Sequence, residues 1–429
     1  MRLRTLSLLC SLLAGCAAAC HGQNAPVLTG YVTRAVSASD FDVNGFRILC
    51  RAKLGSDSKP IGDEKVAVVN CPGEAPNVGD MLAIQYTQSD TRINAVYATR
   101  IDKQRTSRFG EVSGSAVIDA APTEEAAGGQ QPGLTVRADG FRIRITAKTR
   151  IEWNPPLQSL ADVKAGIWIR YKGKLNAAGV LLAASAQIGP NALGGREEKL
   201  RAKNEYDPSA VPADARQNYL KDAITVGLDA KKFPPYKDEE MQARIEKVGS
   251  SLVPAYQRAL PASDPAKFEF RFQLIDTKLL AEALALPNGI ILVPRQVVER
   301  LQSGSQLAAV LADGIACVIE RQQYRTEGKI KAAYASEVAA AIVPYAGFGM
   351  LVSGGSPMDI ERREREQRDR VSIALMHDAG YDIVQAPMAW WDPAKRASPD
   401  TDIPERVAYL YRILGAVWSH PAGSASAAE

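Results

Sequence analysis

By type and spacing, the residues best placed to do chemistry are Asp313 and Cys317. Carboxylate and thiolate both bind metals, and an i, i+4 spacing stacks them on one face of a helix. A catalytic zinc usually takes three protein ligands from His, Glu, Asp or Cys and leaves one position for water. A cysteine reaches much less far than a histidine, and Gly314, beside Asp313, has no side chain to take a proton from that water. His377, just before Asp378-Ala379-Gly380, and His420, near the C-terminus, fall where exposed surface is expected. The other reactive side chains are cysteines. Cys50 and Cys71 close off a polar stretch and end two apolar, strand-like runs, so in an oxidising compartment they are candidates for a disulfide. Such a bond would contribute roughly 3 kcal/mol through the denatured state. The alternative is that Cys50, Cys71 and Cys317 are all small buried hydrophobes.

The elements that must hold these groups follow from the pattern of the chain. Its 429 residues exceed one ordinary core, and 46% hydrophobic with 23% charged residues is globular composition. A net charge of +4 gives no electrostatic case for nucleic acid. Met1-Arg2-Leu3-Arg4 is a basic start, and the apolar run from Leu6 to Ala14 is too short to span a bilayer. It ends in Leu13-Ala14-Gly15-Cys16, which looks like the bacterial lipobox, where cleavage precedes a lipid-bearing cysteine. Residues 1–20 are therefore expected to be a lipoprotein signal and the start of the mature chain, with Cys16 the lipidated residue. Ala17 after it points to the periplasmic face of the outer membrane. An ordinary secretory signal cut a few residues later is the alternative.

Residues 27–102 and 109–189 read as an internal duplication. Phe41-Asp42-Val43-Asn44-Gly45-Phe46-Arg47-Ile48 is echoed by Val136-Arg137-Ala138-Asp139-Gly140-Phe141-Arg142-Ile143. Apolar alternation around Asn-Gly or Asp-Gly predicts a tight hairpin in each copy. Two small barrel-like β modules result, similar in pattern to the OB-like repeats of bacterial envelope proteins. Tyr31, Tyr86, Trp168 and Tyr171 could stack on a sugar or peptide, although aromatics at strand spacing are more often core. Residues 190–235 read as a linker, with a short helix near Ala213 to Asp222. Helices follow: Met241 to Leu260 with a break at Pro254, then strands over 268–274 and 289–293. Ser303 with Gln306 reads as a capping box ahead of the stripe Leu307, Val310, Leu311, Ile315, Val318. Val338 to Gly354 is apolar but interrupted by Pro344 and glycines, so it reads as helices over a cleft, not a membrane span. Residues 421–429 read as a disordered tail.

From about Tyr236 to Val417 the chain resembles the family of zinc metallopeptidases that includes HtpX and the CAAX prenyl proteases. Glu282-Ala283-Leu284-Ala285-Leu286-Pro287-Asn288-Gly289-Ile290-Ile291-Leu292-Val293 is similar to the family's N-A-x-A-x-P-G-G-x-I-x-V strand beside the substrate cleft. Leu307-Ala308-Ala309-Val310-Leu311-Ala312 is similar to the lead-in to its H-E-x-x-H zinc helix. Arg365-Glu366-Gln367-Arg368-Asp369, followed by Ala379-Gly380-Tyr381-Asp382, resembles the E-x-x-A-D helix and the A-G-Y-D turn. The resemblance puts Asp313 at the first histidine ligand, Gly314 at the catalytic glutamate, Cys317 at the second histidine and Arg365 at the third ligand. All four are changed, and a guanidinium repels a dication. Glu364 and Glu366 flank position 365, but each is a quarter-turn away on a helix.

The expectation is an α+β multidomain protein: two all-β OB-like modules, then a mainly helical metallopeptidase-like domain (236–420) with a small sheet. The expected function is that of an exported envelope pseudopeptidase, a binding or scaffolding protein with no cofactor. Zinc enters only on the alternative reading, a metalloendopeptidase with an unconventional site. A third reading is a carbohydrate- or ligand-binding protein acting through the β modules. Expected partners are an extended peptide or an envelope protein, with the membrane reached through the lipid. The peptide would be held as an added strand along Ile290, Ile291, Leu292 and Val293, an edge that needs no metal.

Overall fold

The computed structural model describes residues 26–50, 72–90, 92–104, 109–125, 133–195, 197–198, 235–278, 280–325, 357–392, 399 and 402–419. The expected signal with Cys16, the expected disulfide partner Cys71, the expected helix near Ala213 to Asp222, the run Val338 to Gly354 and the expected tail lie outside these residues. Among the described residues no helix is long and apolar enough to cross a membrane.

The first β module is a closed barrel ordered β1-β2-β3-β5-β4. Its strands are β1 (Val27–Ser37), β2 (Asp40–Val43), β3 (Phe46–Leu49), β4 (Met81–Asp90) and β5 (Ala95–Gln104). The second contains β6 (Glu111–Val117), β7 (Thr123–Glu125), β8 (Gly133–Ala138), β9 (Phe141–Thr146), β10 (Arg150–Trp153), β11 (Trp168–Leu175) and β12 (Val180–Gly189). The duplication extends to the pairing. In the first module β1 pairs antiparallel with β4 and β3 runs parallel to β5; in the second, β6 pairs antiparallel with β11 and β9 runs parallel to β12. Closure differs: β1 pairs with β2 over several residues, whereas in the second copy the same contact shrinks to one bridge between Ile118 and Ala138. The second module is thus an open sheet, β6-β11-β12-β9-β8-β7, rather than a second closed barrel.

Both hairpins turn as expected. Asn44 and Gly45 have φ of 49° and 81°, and Asp139 and Gly140 have 56° and 69°. Two successive positive φ values are what a two-residue hairpin with the right strand twist demands.

The helical part contains α1 (Glu239–Leu252), α2 (Ala255–Ala259), α3 (Arg295–Arg300), α4 (Gly304–Ile319), α5 (Pro357–Asp378) and α6 (Glu405–Ile413). Pro254 breaks the chain between α1 and α2, where it caps the second helix. A small sheet, β13 (Arg271–Ile275), β15 (Ile290–Pro294) and β14 (Leu284–Ala285), is ordered β13-β15-β14. Ser303 caps α4 by accepting the Gln306 amide at 3.1 Å, while the Gln306 side chain reaches back to the Gln302 amide at 2.9 Å.

The first barrel has its own core around Phe41, Phe46 and Ile84. The second module shares one continuous core with the helices, from Ile143 and Ile169 through Leu311 to Tyr411. The start of the expected linker joins this assembly: Glu197 is buried and pairs with Arg321 of the segment after α4.

Candidate functional site

Helix α4 is buried on nearly every side, and its stripe Leu307, Val310, Leu311, Ile315 and Val318 lies in the core. That fixes Asp313 and Cys317 against α5 and α6. Asp313 Oδ1 accepts hydrogen bonds from Arg406 Nη2 at 2.6 Å and Arg368 Nε at 3.2 Å. Arg406 also donates to Asp369 Oδ1 through Nη2 at 2.7 Å and Nε at 2.9 Å, and to Glu282 Oε2 through Nη1 at 2.9 Å. Its guanidinium lies 3.7 Å from the centre of the Trp390 ring. Arg368 donates in turn to Gln322 Oε1 at 3.1 Å. Two cations from α5 and α6 therefore hold the carboxylates of α4 and α5.

The electrostatics follow from this arrangement. Burial alone would raise the Asp313 pKa, but Arg368 and Arg406 outweigh it and hold the carboxyl below its ordinary value. Asp369 is pushed up to about 6, chiefly by burial, with Arg406 opposing. Burial pushes the Cys317 thiol up to about 11.

These residues do not fit a zinc ion. Asp313 is already bound to two guanidiniums, one of which, Arg368, lies on the side of α5 that faces it. Asp369 Oδ2 is buried without a hydrogen-bond partner among the described residues, but a single oxygen beside Arg406 is no site for a dication. Arg365, at the resembled third-ligand position, pairs instead with the exposed Glu405 at 3.8 Å. Among the described residues no group of three or more His, Cys, Asp or Glu is arranged to hold a metal. A Cβ added at Gly314 would lie 3.0 Å from Ile291 Cγ2 and 3.1 Å from Cδ1, so β15 takes the space a general base there would use.

The structure brings Asp313, Gly314 and Cys317 together as expected but sends Arg365 elsewhere. The arginines that matter, Arg368 and Arg406, were missed. Arg368 was legible, since it stands where the resembled E-x-x-A-D motif has alanine; Arg406 carried no such signal. Glu282, at the motif's asparagine position, proves to be a third carboxylate on Arg406.

The expected peptide-binding edge is overturned. Ile290, Ile291, Leu292 and Val293 form the central strand, parallel to β13 on one side and antiparallel to β14 on the other, and all four are buried. The outer edges of this sheet are occupied too. The Gln323 side chain donates to the Ala285 carbonyl of β14. On β13, Gln242 donates to the Phe272 carbonyl at 2.7 Å and accepts the Leu274 amide at 2.9 Å. An added strand would have to displace a glutamine on either side.

The four aromatics form no common face. Tyr86 and Tyr171 are buried, Tyr31 stacks on Tyr411 at 6.4 Å, and Trp168 lies under Arg170. Cys50 is buried and disulfide-bonded.

The chain matches no known protein-family model and no curated protein sequence.

Proposed function

We propose that the chain is an envelope lipoprotein whose C-terminal half, similar to a zinc metallopeptidase, is a non-catalytic binding or scaffolding unit. The observation that supports this most is the pairing of Asp313 with Arg406 and Arg368. Where the resembled enzymes need ligands for a cation, this chain supplies the cations itself, as side chains. A guanidinium cannot polarise a carbonyl or lower the pKa of water as a metal does, because it has no open coordination position. The arrangement can hold three elements in register, and that is structural work. Localisation at the envelope rests on the lipobox-like Leu13-Ala14-Gly15-Cys16.

Metal analysis of the full chain, prepared without a metal-binding tag, tests the reading. The expected zinc content is far below one per chain, and one chelator-sensitive zinc per chain would overturn it. A restoration series sharpens the test. Histidine at positions 313 and 317 with glutamate at 314 and 365 should gain no zinc affinity while Arg368 and Arg406 remain. Adding Arg368→Ala and Arg406→Met should produce it, measured by calorimetric titration.

A further inference from the structure

We infer that the free edge of β6 captures an extended acidic peptide of another protein by strand addition. The proposal rests on the reading of the chain as a binding protein and names the surface that binds. β6 is the terminal strand of the second module's sheet. Its parity is fixed by two contacts: the Val117 amide donates to the Glu320 carboxyl at 3.2 Å, and the Ser115 carbonyl accepts from Gln367 Nε2 at 3.0 Å. The main-chain groups of Glu111, Ser113, Ser115 and Val117 therefore point away from β11. The Val117 amide and the Ser115 carbonyl are taken. The amide and carbonyl of Ser113 and the amide of Ser115 have no partner among the described residues. This edge differs from those of the small sheet, which glutamines cap.

The open rungs line a groove of about 1090 Å³ between the second module and helices α5 and α6. At roughly 3.4 Å per residue, the stretch from Glu111 to Ser115 fits a short extended segment, and the caps from Gln367 and Glu320 stop it there. Room for its side chains comes from the small residues Ser113 and Ser115.

Charge selects the occupant. Of the acidic residues in the lining, Glu111, Asp139 and Glu366 are paired with Lys172, Arg370 and Arg362, Glu152 accepts from Gln187 at 3.3 Å, and Glu364 lies on α5. Arg150, Arg170 and Arg412 also line the groove, and none has a carboxylate partner among the described residues. Arg170 lies over Trp168 at 5.4 Å and Arg412 over Phe109 at 4.6 Å, so an aromatic ring and not a carboxylate lies against each. Ser115 is in register with Arg170, and Ser113 with Lys172. A glutamate opposite Ser115 on an added strand would reach over a small side chain toward Arg170.

Fluorescence polarisation with the full chain tests this, using a labelled octapeptide alternating threonine and glutamate. Saturable binding is expected, weakened about tenfold or more by N-methylation of alternate peptide amides and by Ser113→Pro, which removes the central donor. Arg150→Gln with Arg170→Gln should weaken the glutamate peptide by a similar factor, and a threonine–lysine peptide should bind at least tenfold less tightly. Hydrogen exchange at the Ser113 and Ser115 amides should slow on binding. No saturable binding, or equal binding of the N-methylated peptide, would overturn the proposal whether or not Ser113→Pro folds. A zinc-free chain that ignores the peptide refutes this inference alone. A zinc-loaded chain refutes the broader reading instead.

Discussion

Arg406 carries the largest consequence of any single residue. It is 8% exposed and serves Asp313, Asp369 and Glu282 together. Removing one partner of a buried pair strands the other charge, which costs about 3–5 kcal/mol. Arg406→Met should therefore destabilise the fold by about that much in urea denaturation. Asp313→Asn should restore part of the loss when combined with it, whereas additive effects would show that the pair is not coupled. At this scale the sequence was half legible. Asp313, Gly314 and Cys317 are contiguous on one helix, and their departure from a zinc motif can be read without a fold. The pairing with Arg406 crosses 93 positions and leaves no periodic trace.

At the level of elements, the turns were the most readable feature, because Asn44-Gly45 and Asp139-Gly140 require positive φ that few residues tolerate. The copies then diverge in use. The Asn44 side chain accepts the Tyr31 amide of its own barrel at 2.9 Å, while the Asp139 carboxylate binds Arg370 of α5 at 2.6 Å. The role of Ile290 to Val293 was misread because strand order is not written in the strand. A continuous apolar run suits a central strand as well as an edge, and the partner β14 is two residues long. Where α4 meets β6, the buried Glu320 has its pKa pushed up from 4.5 to about 8, chiefly by burial, with Arg325 opposing. Between those values the folded chain holds a proton that the unfolded chain has released. Stability should therefore fall as pH rises from about 4.5 to about 8 and level off above. Glu320→Gln keeps an acceptor for the Val117 amide and should flatten this decline, so that the variant melts above the parent at pH 8. Parallel melting curves of parent and variant across that range would refute the assignment.

For the whole molecule, the alternation of β modules and helices was legible from the change in hydrophobic period, and the first module is the closed barrel expected. Lipid attachment remains a proposal at this scale. Mass spectrometry of the mature N-terminus should find a diacylated Cys16, and an unmodified chain starting at Cys20 or later would refute it. What composition could not convey was where one cooperative body ends. The first barrel closes around its own apolar residues, but the second module and the helices are two halves of a single interior. This bears on how the protein can be dissected. A fragment ending at residue 189 would bare half of a divided interior to water and gather false partners through it. Pieces spanning 26–104 and 109–419 would each keep their main interior whole and bare only the seam where Tyr31 and Val78 pack against the second core, and interaction screens should use those.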